Sequence, residues 1–298
     1  MISLVLTLRP RQAASAPPHL GRAAHAALLR AVDAADAALA AQLHDETGPK
    51  PFTCSTLMGK RKEGAVTPDE TYTLRYTALL PTLTELLLTR FCPAGGNGGQ
   101  RSEIGSHRSE VKNPNSDVRP PMSEIELDEI LFDVTGAATD PAVQPWAART
   151  TFEELASPWL LGRAEPARHL TFQFTSPTTF HSGGRSVPLP LPELIFGSLL
   201  ERWNAYAPVA LPEEARRFAA ECLAVSRYEL QTRPLPFKEG AVKIGMIGQA
   251  TLAATRYDRY WLSLMNLLAD FALFAGVGAG VTMGMGQCRR IADLGSRV

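Results

Sequence analysis

The segment 43–55, LHDETGPKPFTCS, contains a histidine and a lysine that together could catalyse acid and base chemistry. His44 is at the end of a helical pattern, where helix carbonyls favour a cation, so it is suited to exchange a proton near neutral pH. Lys50 adds a positive charge in the following loop. Cleavage of RNA by its own 2′-hydroxyl needs a base, an acid and a cation that stabilises the phosphorane. From the pattern alone, a surface or hydrogen-bonding histidine is the alternative.

Five glycines in the segment 276–290, GVGAGVTMGMGQCRR, lie between an apolar helix and a final strand. Such glycines let backbone amides approach phosphates closely, because no Cβ intervenes and positive φ is allowed. The segment lacks the Gly-Lys-Ser/Thr ending of a Walker loop. It also lacks the preceding strand and following helix that a dinucleotide-binding fingerprint requires. A helix C-cap with tight packing would explain one or two glycines. We predict that RNA backbone binds at Gly276, Gly278, Gly280, Gly284 and Gly286.

Other basic residues complete the set of candidate site residues. His25 borders the apolar stripe of the first helix, and is either a third catalytic group or a boundary histidine with satisfied hydrogen bonds. The basic run at 60–62 and the loop at 176–192 offer phosphate contacts, although such residues are commonly solvated. The predicted RNA contacts outside the glycine segment and at its end are Lys60, Arg61, Lys62, Arg185 and Arg289.

The formal net charge is zero, with 30 Lys/Arg and 30 Asp/Glu in 298 residues. Residues 1–62 hold 8 basic and 4 acidic residues, residues 63–160 hold 7 and 15, and residues 161–298 hold 15 and 11. An acidic middle therefore masks two basic ends in the total. A local basic groove is compatible with this distribution, and ordinary surface scatter is the alternative.

The composition argues against several other classes of protein. The four cysteines form no CxxC pair and have no histidine at ligand spacing, so we expect no metal site, no disulfide framework and no cofactor. The apolar stretch 261–286 is interrupted by glycines and is too short in regular helix for a membrane span. The initial MISLVLTLRP is too short for a signal peptide, which predicts a cytoplasmic protein.

Two halves of the chain share one order of elements. In the first half, strands are predicted at 2–9, 52–58, 71–77 and 124–134, with helices over 20–43 and at 82–91. In the second half, strands are predicted at 170–175, 223–230, 241–252 and 285–292, with helices at 193–204 and 258–275. Two βαββαβ units predict an α+β protein with tandem ferredoxin-like, RRM-like domains.

The predicted domains are 1–140 and 168–298, joined by a linker at 141–167. The segment 94–121 is rich in Gly, Ser, Asn and Pro and is predicted to be a mobile insertion. The strand at 71–77 alternates apolar and polar residues, which predicts that one of its faces is exposed to solvent.

The sequence resembles the Cas6 family of CRISPR-associated repeat endoribonucleases, in the RAMP superfamily. The resemblance is carried by MISLVLTLRP, LHDETGPKPFTCSTLMG, FTSPTTFHSGGRSVPLPLPELIFGSLLERWN and the glycine segment. It implies metal-independent cleavage of CRISPR repeat RNA, with a 2′,3′-cyclic phosphate on the upstream product and mature crRNAs as the outcome. In members with an LH…GPK loop the histidine and lysine are catalytic, which makes His44 the general acid or base and Lys50 the charge stabiliser.

The chain departs from some family members, which add a tyrosine from the first helix, because residues 20–43 contain none. His25 is then the nearest candidate for deprotonating or orienting the 2′-hydroxyl, and an RNA or water group is the alternative. The implied partners are precursor CRISPR RNA and a CRISPR interference complex, with the protein a monomer or homodimer. The alternatives to cleavage are a non-cleaving RNA-binding subunit of the same superfamily and a small-molecule enzyme that uses the cleft between the domains.

Overall fold

The computed structural model describes residues 1–45, 47–92, 122–162, 164–236 and 242–292. The insertion predicted at 94–121 lies outside these described residues.

The first half of the chain forms an antiparallel sheet with helices packed on one face. The elements up to residue 160 are β1 (Ile2–Pro10), β2 (Ala14–Ser15), α1 (Gly21–Asp33), α2 (Ala37–Asp45), β3 (Phe52–Cys54), β4 (Ala65–Val66), β5 (Tyr72–Ala78), α3 (Pro81–Phe91), β6 (Glu124–Leu127), β7 (Ile130–Ala138), β8 (Ala148–Arg149) and α4 (Phe152–Leu160).

The strands of this sheet are arranged in the order β3-β5-β1-β7-β6, with β1 at the centre. Strands β5 and β7 both pair with β1 in antiparallel fashion. The apolar stripe of α1 packs on the sheet, and Ala24, Leu28 and Val32 have no exposed surface. Leu43 at the end of α2 is buried in the same core, so α2 is fixed beside α1.

The single strand predicted at 124–134 is wrong, because this segment forms the hairpin β6–β7. Residues Asp128 and Glu129 make the turn, with φ values of 53° and 65°, and Leu127 pairs with Ile130. Two-residue hairpin turns require positive φ at both central residues and usually contain Asn or Gly. The sequence ELDEIL has neither residue, so its apolar alternation resembles one continuous strand.

The second half repeats the architecture around a separate hydrophobic core. Its elements are β9 (His169–Thr178), β10 (Phe180–Ser182), β11 (Arg185–Val187), α5 (Pro192–Tyr206), α6 (Glu214–Cys222), β12 (Leu223–Pro236), β13 (Val242–Ala254), α7 (Arg259–Ala275) and β14 (Cys288–Ile291), with a 3-10 turn at Val281–Met283 before β14. The sheet order is β12-β13-β9-β14. Phe172, Phe196 and Phe271 are fully buried within this core. The prediction of tandem ferredoxin-like domains is confirmed.

The segment predicted as a linker, 141–167, contains regular structure. Strand β8 pairs with the start of β1, and α4 begins with a capping box in which Thr151 and Glu154 bond each other's backbone amides. Phe152 packs edge-on against Trp203, with ring centroids 5.2 Å apart. The segment therefore packs on both halves, and the domain boundaries at 140 and 168 stay predictions.

The polar face of β5 is buried at Arg75 and Thr77 and half-buried at Thr73, so the prediction of a solvent-exposed face is wrong over most of the strand. Arg75 is only 4% exposed and Thr77 is fully buried. The Arg75 guanidinium donates from Nε to Gln287 Oε1 (2.9 Å) and from Nη1 to the carbonyl of Leu273 (2.8 Å). Burial lowers the pKa of Arg75 to about 9, since the charged form is the one that loses hydration. A charged residue on an alternating strand indicates a solvent-exposed face only when no other part of the protein packs on that face.

Replacing Arg75 tests how strongly this contact holds the domains together. We expect Arg75→Ala to lower the free energy of unfolding by about 2 to 4 kcal/mol, because buried acceptors on the other domain lose their donor. Urea denaturation followed by circular dichroism measures it.

The matched control is Arg149→Ala, because Arg149 is an exposed arginine that pairs with Glu85 at 3.1 Å. Its removal should change the free energy of unfolding by less than about 1 kcal/mol. Equal effects of the two substitutions would contradict the importance of the buried contact.

Candidate active site

His44 and Lys50 meet at the C-terminal end of α2. The chain turns back after α2 through a loop in which Gly48 has a φ of 107°. The Lys50 ammonium then donates hydrogen bonds to the carbonyl oxygens of Leu43 (2.8 Å) and His44 (3.2 Å). Carbonyls at a helix C-terminus lack intrahelical partners and have partial negative charge, so they attract a cation. The His44 side chain is exposed in the same turn.

His25, on α1, belongs to the same cluster. Its ring packs against Phe52, with ring centroids 5.6 Å apart, and it forms a hydrogen bond with the backbone of Thr282 in the glycine segment. Lys50 and His44 are close enough for their charges to act on the His25 ring. The structure therefore brings the three candidate catalytic residues together, although two helices and a loop supply them.

The environment of His25 favours its neutral form. Burial is the largest effect and lowers the pKa of His25 below its ordinary value, and the charges of Lys50 and His44 lower it further. The bond to the Thr282 backbone opposes this shift. Nδ1 is enclosed and has no hydrogen-bond partner among the described residues. A neutral imidazole at pH 7 can accept a proton.

The second domain also holds the loop that carries Lys50. The hydroxyl of Tyr206, at the end of α5, donates a hydrogen bond to the carbonyl oxygen of Pro49. Sequence reasoning did not identify Tyr206, because it is 157 residues from its partner and has no local motif. The bond fixes the backbone next to Lys50 only when the two domains are packed.

All five glycines of the segment have positive φ, between 64° and 84°. A Cβ on Gly278 would lie 2.4 Å from the carbonyl oxygen of Thr179, and one on Gly286 would lie 2.2 Å from that of Val277. Every glycine therefore favours the conformation of the segment, and three of them, Gly278, Gly284 and Gly286, are also needed for close backbone packing. Three of the five, Gly276, Gly284 and Gly286, are buried, while Gly278 and Gly280 are partly exposed. Their RNA contacts stay predictions.

The glycine segment docks directly on the N-terminal domain. Gly284 forms a parallel bridge with Ser55, just after β3. His19 Nε2 donates a hydrogen bond to the carbonyl oxygen of Met283 (2.8 Å). A Cβ on Gly21, the first residue of α1, would lie 2.1 Å from the same carbonyl oxygen. The start of α1 and the glycine segment therefore both need glycine where they cross, at Gly21 and Gly284. This contact places Thr282 against His25.

The three basic residues at 60–62 lie in different environments. Arg61 donates from Nη1 to the carbonyl oxygens of Ala16 (3.2 Å) and Pro17, which holds the chain before α1. Lys62 lies 4.0 Å from a Glu70 carboxylate oxygen, and Lys60 is exposed. Arg61 thus has an internal role, and contacts of the three residues with RNA stay predictions.

Arg185 and Arg289 also differ in their surroundings. Arg185 is exposed on the β10–β11 hairpin, which is next to the glycine segment because Thr179 and Phe180 lie against Gly278. Arg289 instead donates to Gln173 Oε1 (2.9 Å) and stacks over the ring of Trp146 at 4.8 Å. Arg289 therefore packs within the protein, and its predicted contact with RNA is untested.

The described parts of the chain contain no group of three or more His, Cys, Asp or Glu side chains that could hold a metal ion. No helix in those parts is long and apolar enough to cross a membrane.

Gly284→Ala tests whether the docking of the glycine segment contributes to stability. Its added Cβ would lie 2.7 Å from the His19 ring and 2.8 Å from the Cα of Gly21. We expect the free energy of unfolding to fall by about 1 to 2 kcal/mol from the left-handed backbone and by about 1 to 3 kcal/mol more from the clash.

Gly64→Ala is the matched control, because Gly64 has a φ of 82° against 84° for Gly284 and nothing within 4 Å of its Cβ position. The control should show the backbone effect alone in the same urea titration. Equal losses of stability would mean that the docking contact contributes nothing.

Two family models match the chain. The model of CRISPR-associated endoribonuclease Cas6 matches residues 172–288, and the model of the CRISPR Cas6 N-terminal domain matches residues 1–85. A curated relative, the CRISPR-associated endoribonuclease Cas6 of Mycobacterium tuberculosis, is 30% identical over 123 residues. This match spans 41% of this chain and 38% of the relative.

Solved structures agree over nearly the whole chain. A Thermus thermophilus Cas6 in a product complex is 25% identical, with a TM-score of 0.70 over 97% of this chain and 99% of that chain. A Cas6-related protein from Pyrococcus furiosus shares the fold at 12% identity, with a TM-score of 0.59 over 98% and 99% of the two chains. With both of its halves matched by models of one family, the chain belongs to the Cas6 family.

Proposed function

We propose that this protein is an endoribonuclease that binds CRISPR repeat RNA and cleaves precursor transcripts into mature crRNAs without a metal ion. The observation that supports this proposal most directly is the cluster of His25, His44 and Lys50 beside the glycine segment. Two groups that exchange protons and one fixed cation are the set that cleavage by an internal hydroxyl requires.

The neutral His25 removes the proton of the 2′-hydroxyl. In the free protein the His25 ring donates a hydrogen bond to the Thr282 backbone; when RNA binds, the 2′-hydroxyl takes the place of this acceptor, and the ring adopts the tautomer whose unprotonated nitrogen faces the hydroxyl. The oxygen then attacks the adjacent phosphorus, and a bond forms between them while the bond to the 5′ oxygen breaks. Catalytic hydrogen bonds commonly reach their working geometry only in the substrate complex.

His44 donates a proton to the departing 5′ oxygen. Its exposed position at the end of α2 is accessible to the RNA backbone. Lys50 stabilises the extra negative charge on the phosphorane, and its bonds to the carbonyls of Leu43 and His44 hold it beside the acid. The products are a 2′,3′-cyclic phosphate on the upstream RNA and a 5′-hydroxyl on the downstream RNA.

The RNA backbone is held by residues on the exposed side of this cluster. Gly278 and Gly280 are partly exposed in the glycine segment, and Lys60 and Arg185 are exposed on either side of the domain contact. Exposed cations bind phosphates without reading the sequence, so these residues position the substrate. The curated relative of Mycobacterium tuberculosis is an endoribonuclease, which supports RNA as the substrate class.

Cleavage in the presence of EDTA tests the proposal. The probe is a synthetic RNA that carries the CRISPR repeat of the source genome, with enzyme in excess. We expect wild type to cut it, and His44→Ala to cut about 10² to 10⁴ times more slowly, because one positioned acid is lost.

His169→Ala is the control, since His169 is an exposed histidine at the start of β9 in the other domain. It should cut at the wild-type rate. Unimpaired cutting by His44→Ala would remove His44 from the mechanism. Tight, salt-sensitive binding without cutting by wild type would favour the non-cleaving subunit.

The pH dependence of kcat/KM tests the role of His25. Because the pKa of His25 is lowered, the base is unprotonated at pH 7 and becomes protonated as pH falls through a value below about 6.5. The rate should therefore fall on the acidic side as the base becomes protonated. His25→Asn should remove this acidic limb and slow cutting at pH 7; an acidic limb that is unchanged in His25→Asn would assign the base to another group.

A further inference from the structure

An open cleft of about 550 Å³ lies between α1 and the turn that joins β6 to β7. One wall is the side of α1, the other wall is formed by the β6–β7 hairpin, and Pro236 at the end of β12 also lines the cleft. The side chains used below are Arg22, Arg30, Glu126, Asp128, Glu129 and Met283.

The cleft begins beside the candidate active site. Met283 lines it and directly follows Thr282, whose backbone bonds His25. Arg22 precedes His25 by three residues on α1, which is about 4.5 Å along the helix axis. A nucleotide next to the scissile phosphate can therefore enter the cleft without a break in the RNA chain.

The two walls have opposite charges, and among the described residues no salt bridge joins one wall to the other. Arg22 and Arg30 lie on the α1 wall, and Glu126, Asp128 and Glu129 lie on the other wall, all of them exposed. Within the described residues, none of these carboxylates lies within 4.0 Å of either guanidinium. Arg30 donates instead to the backbone carbonyl of Glu126 (3.1 Å). The cleft thus presents donors on one side and acceptors on the other.

A ligand that satisfies both walls has acceptors at one end and donors at the other, as a nucleotide does. Guanidinium groups bind phosphate oxygens, and an ionised carboxylate only accepts hydrogen bonds. Guanine is the base whose Watson–Crick edge places two donors, N1–H and the 2-amino group, side by side, so it can bond both oxygens of one carboxylate. Adenine, cytosine and uracil each place an acceptor next to their donor on that edge.

We propose that this cleft binds a guanine nucleotide of the substrate RNA next to the cleaved bond. The carboxylates of the β6–β7 turn and of Glu126 read the base, and Arg22 and Arg30 hold its flanking phosphates. The small side chains of Ala23 and Ala26 on the α1 wall leave room for the base. This inference rests on the proposed function, because the nucleotide is part of the RNA that the enzyme cuts.

Inosine substitution tests the inference. Inosine lacks the 2-amino group of guanine and keeps the rest of its Watson–Crick edge. In the repeat RNA, each guanine within five nucleotides of the cut is replaced in turn by inosine. We expect one replacement to lower kcat/KM about tenfold for wild type, as is typical for a lost bidentate base contact.

The same RNAs are then assayed with Glu126→Gln, Asp128→Asn and Glu129→Gln. At least one of these variants should cut the guanine and inosine RNAs equally, because its amide no longer offers two acceptors. Glu85→Gln, an exposed carboxylate on α3 outside the cleft, should keep the wild-type preference. Arg22→Gln and Arg30→Gln should weaken binding of both RNAs alike and each reduce the salt slope by about one.

Three results would overturn the inference: a cut site with no guanine nearby, no wild-type preference for guanine over inosine, or a preference that survives in all three carboxylate variants. In each of them wild type still cuts the repeat RNA, so the proposed function stands. Failure of wild type to cut any repeat RNA would instead overturn the proposed function.

Discussion

Hydrogen bonds between the buried Arg75 and Gln287 hold the two domains in the one arrangement that assembles the candidate site. Gln287 also donates to the carbonyl oxygen of Cys54 (3.1 Å), at the end of β3. The next residue, Ser55, bridges to Gly284, and this contact sets Thr282 against His25. A buried guanidinium is tolerated only where acceptors surround it, so the packing of the domains and the geometry of the site form together.

The parts of the site that depend on local sequence could be predicted. Lys50 reaches the end of α2 because it lies only six positions after His44, and a turn with Gly48 suffices to bring it back. The helix and strand periods are also local, so the main strands and helices of both halves could be predicted, apart from the β6–β7 hairpin and short elements such as α4 and α6. The β6–β7 hairpin was missed because its turn residues, Asp128 and Glu129, are unusual in positive φ.

The contacts between the domains could not be predicted from sequence. Arg75 occupies the polar position of an alternating strand, and the same pattern describes a strand that faces water. Tyr206 bonds Pro49 across the domain contact without any motif of its own. Whether such a side chain is exposed depends on contacts with residues more than a hundred positions away in the sequence. The local alternation of apolar and polar residues contains no information about these contacts.

The density of glycines in the segment 276–286 indicated RNA binding, and the structure gives these glycines a packing role as well. Gly276, Gly284 and Gly286 are buried and shape the loop, whereas Gly278 and Gly280 reach the surface. These roles support each other, because a loop fixed by packing loses little conformational entropy when it binds a ligand. Left-handed glycines packed against other backbone therefore indicate a rigid backbone, and the partly exposed pair is where we propose that this backbone contacts RNA.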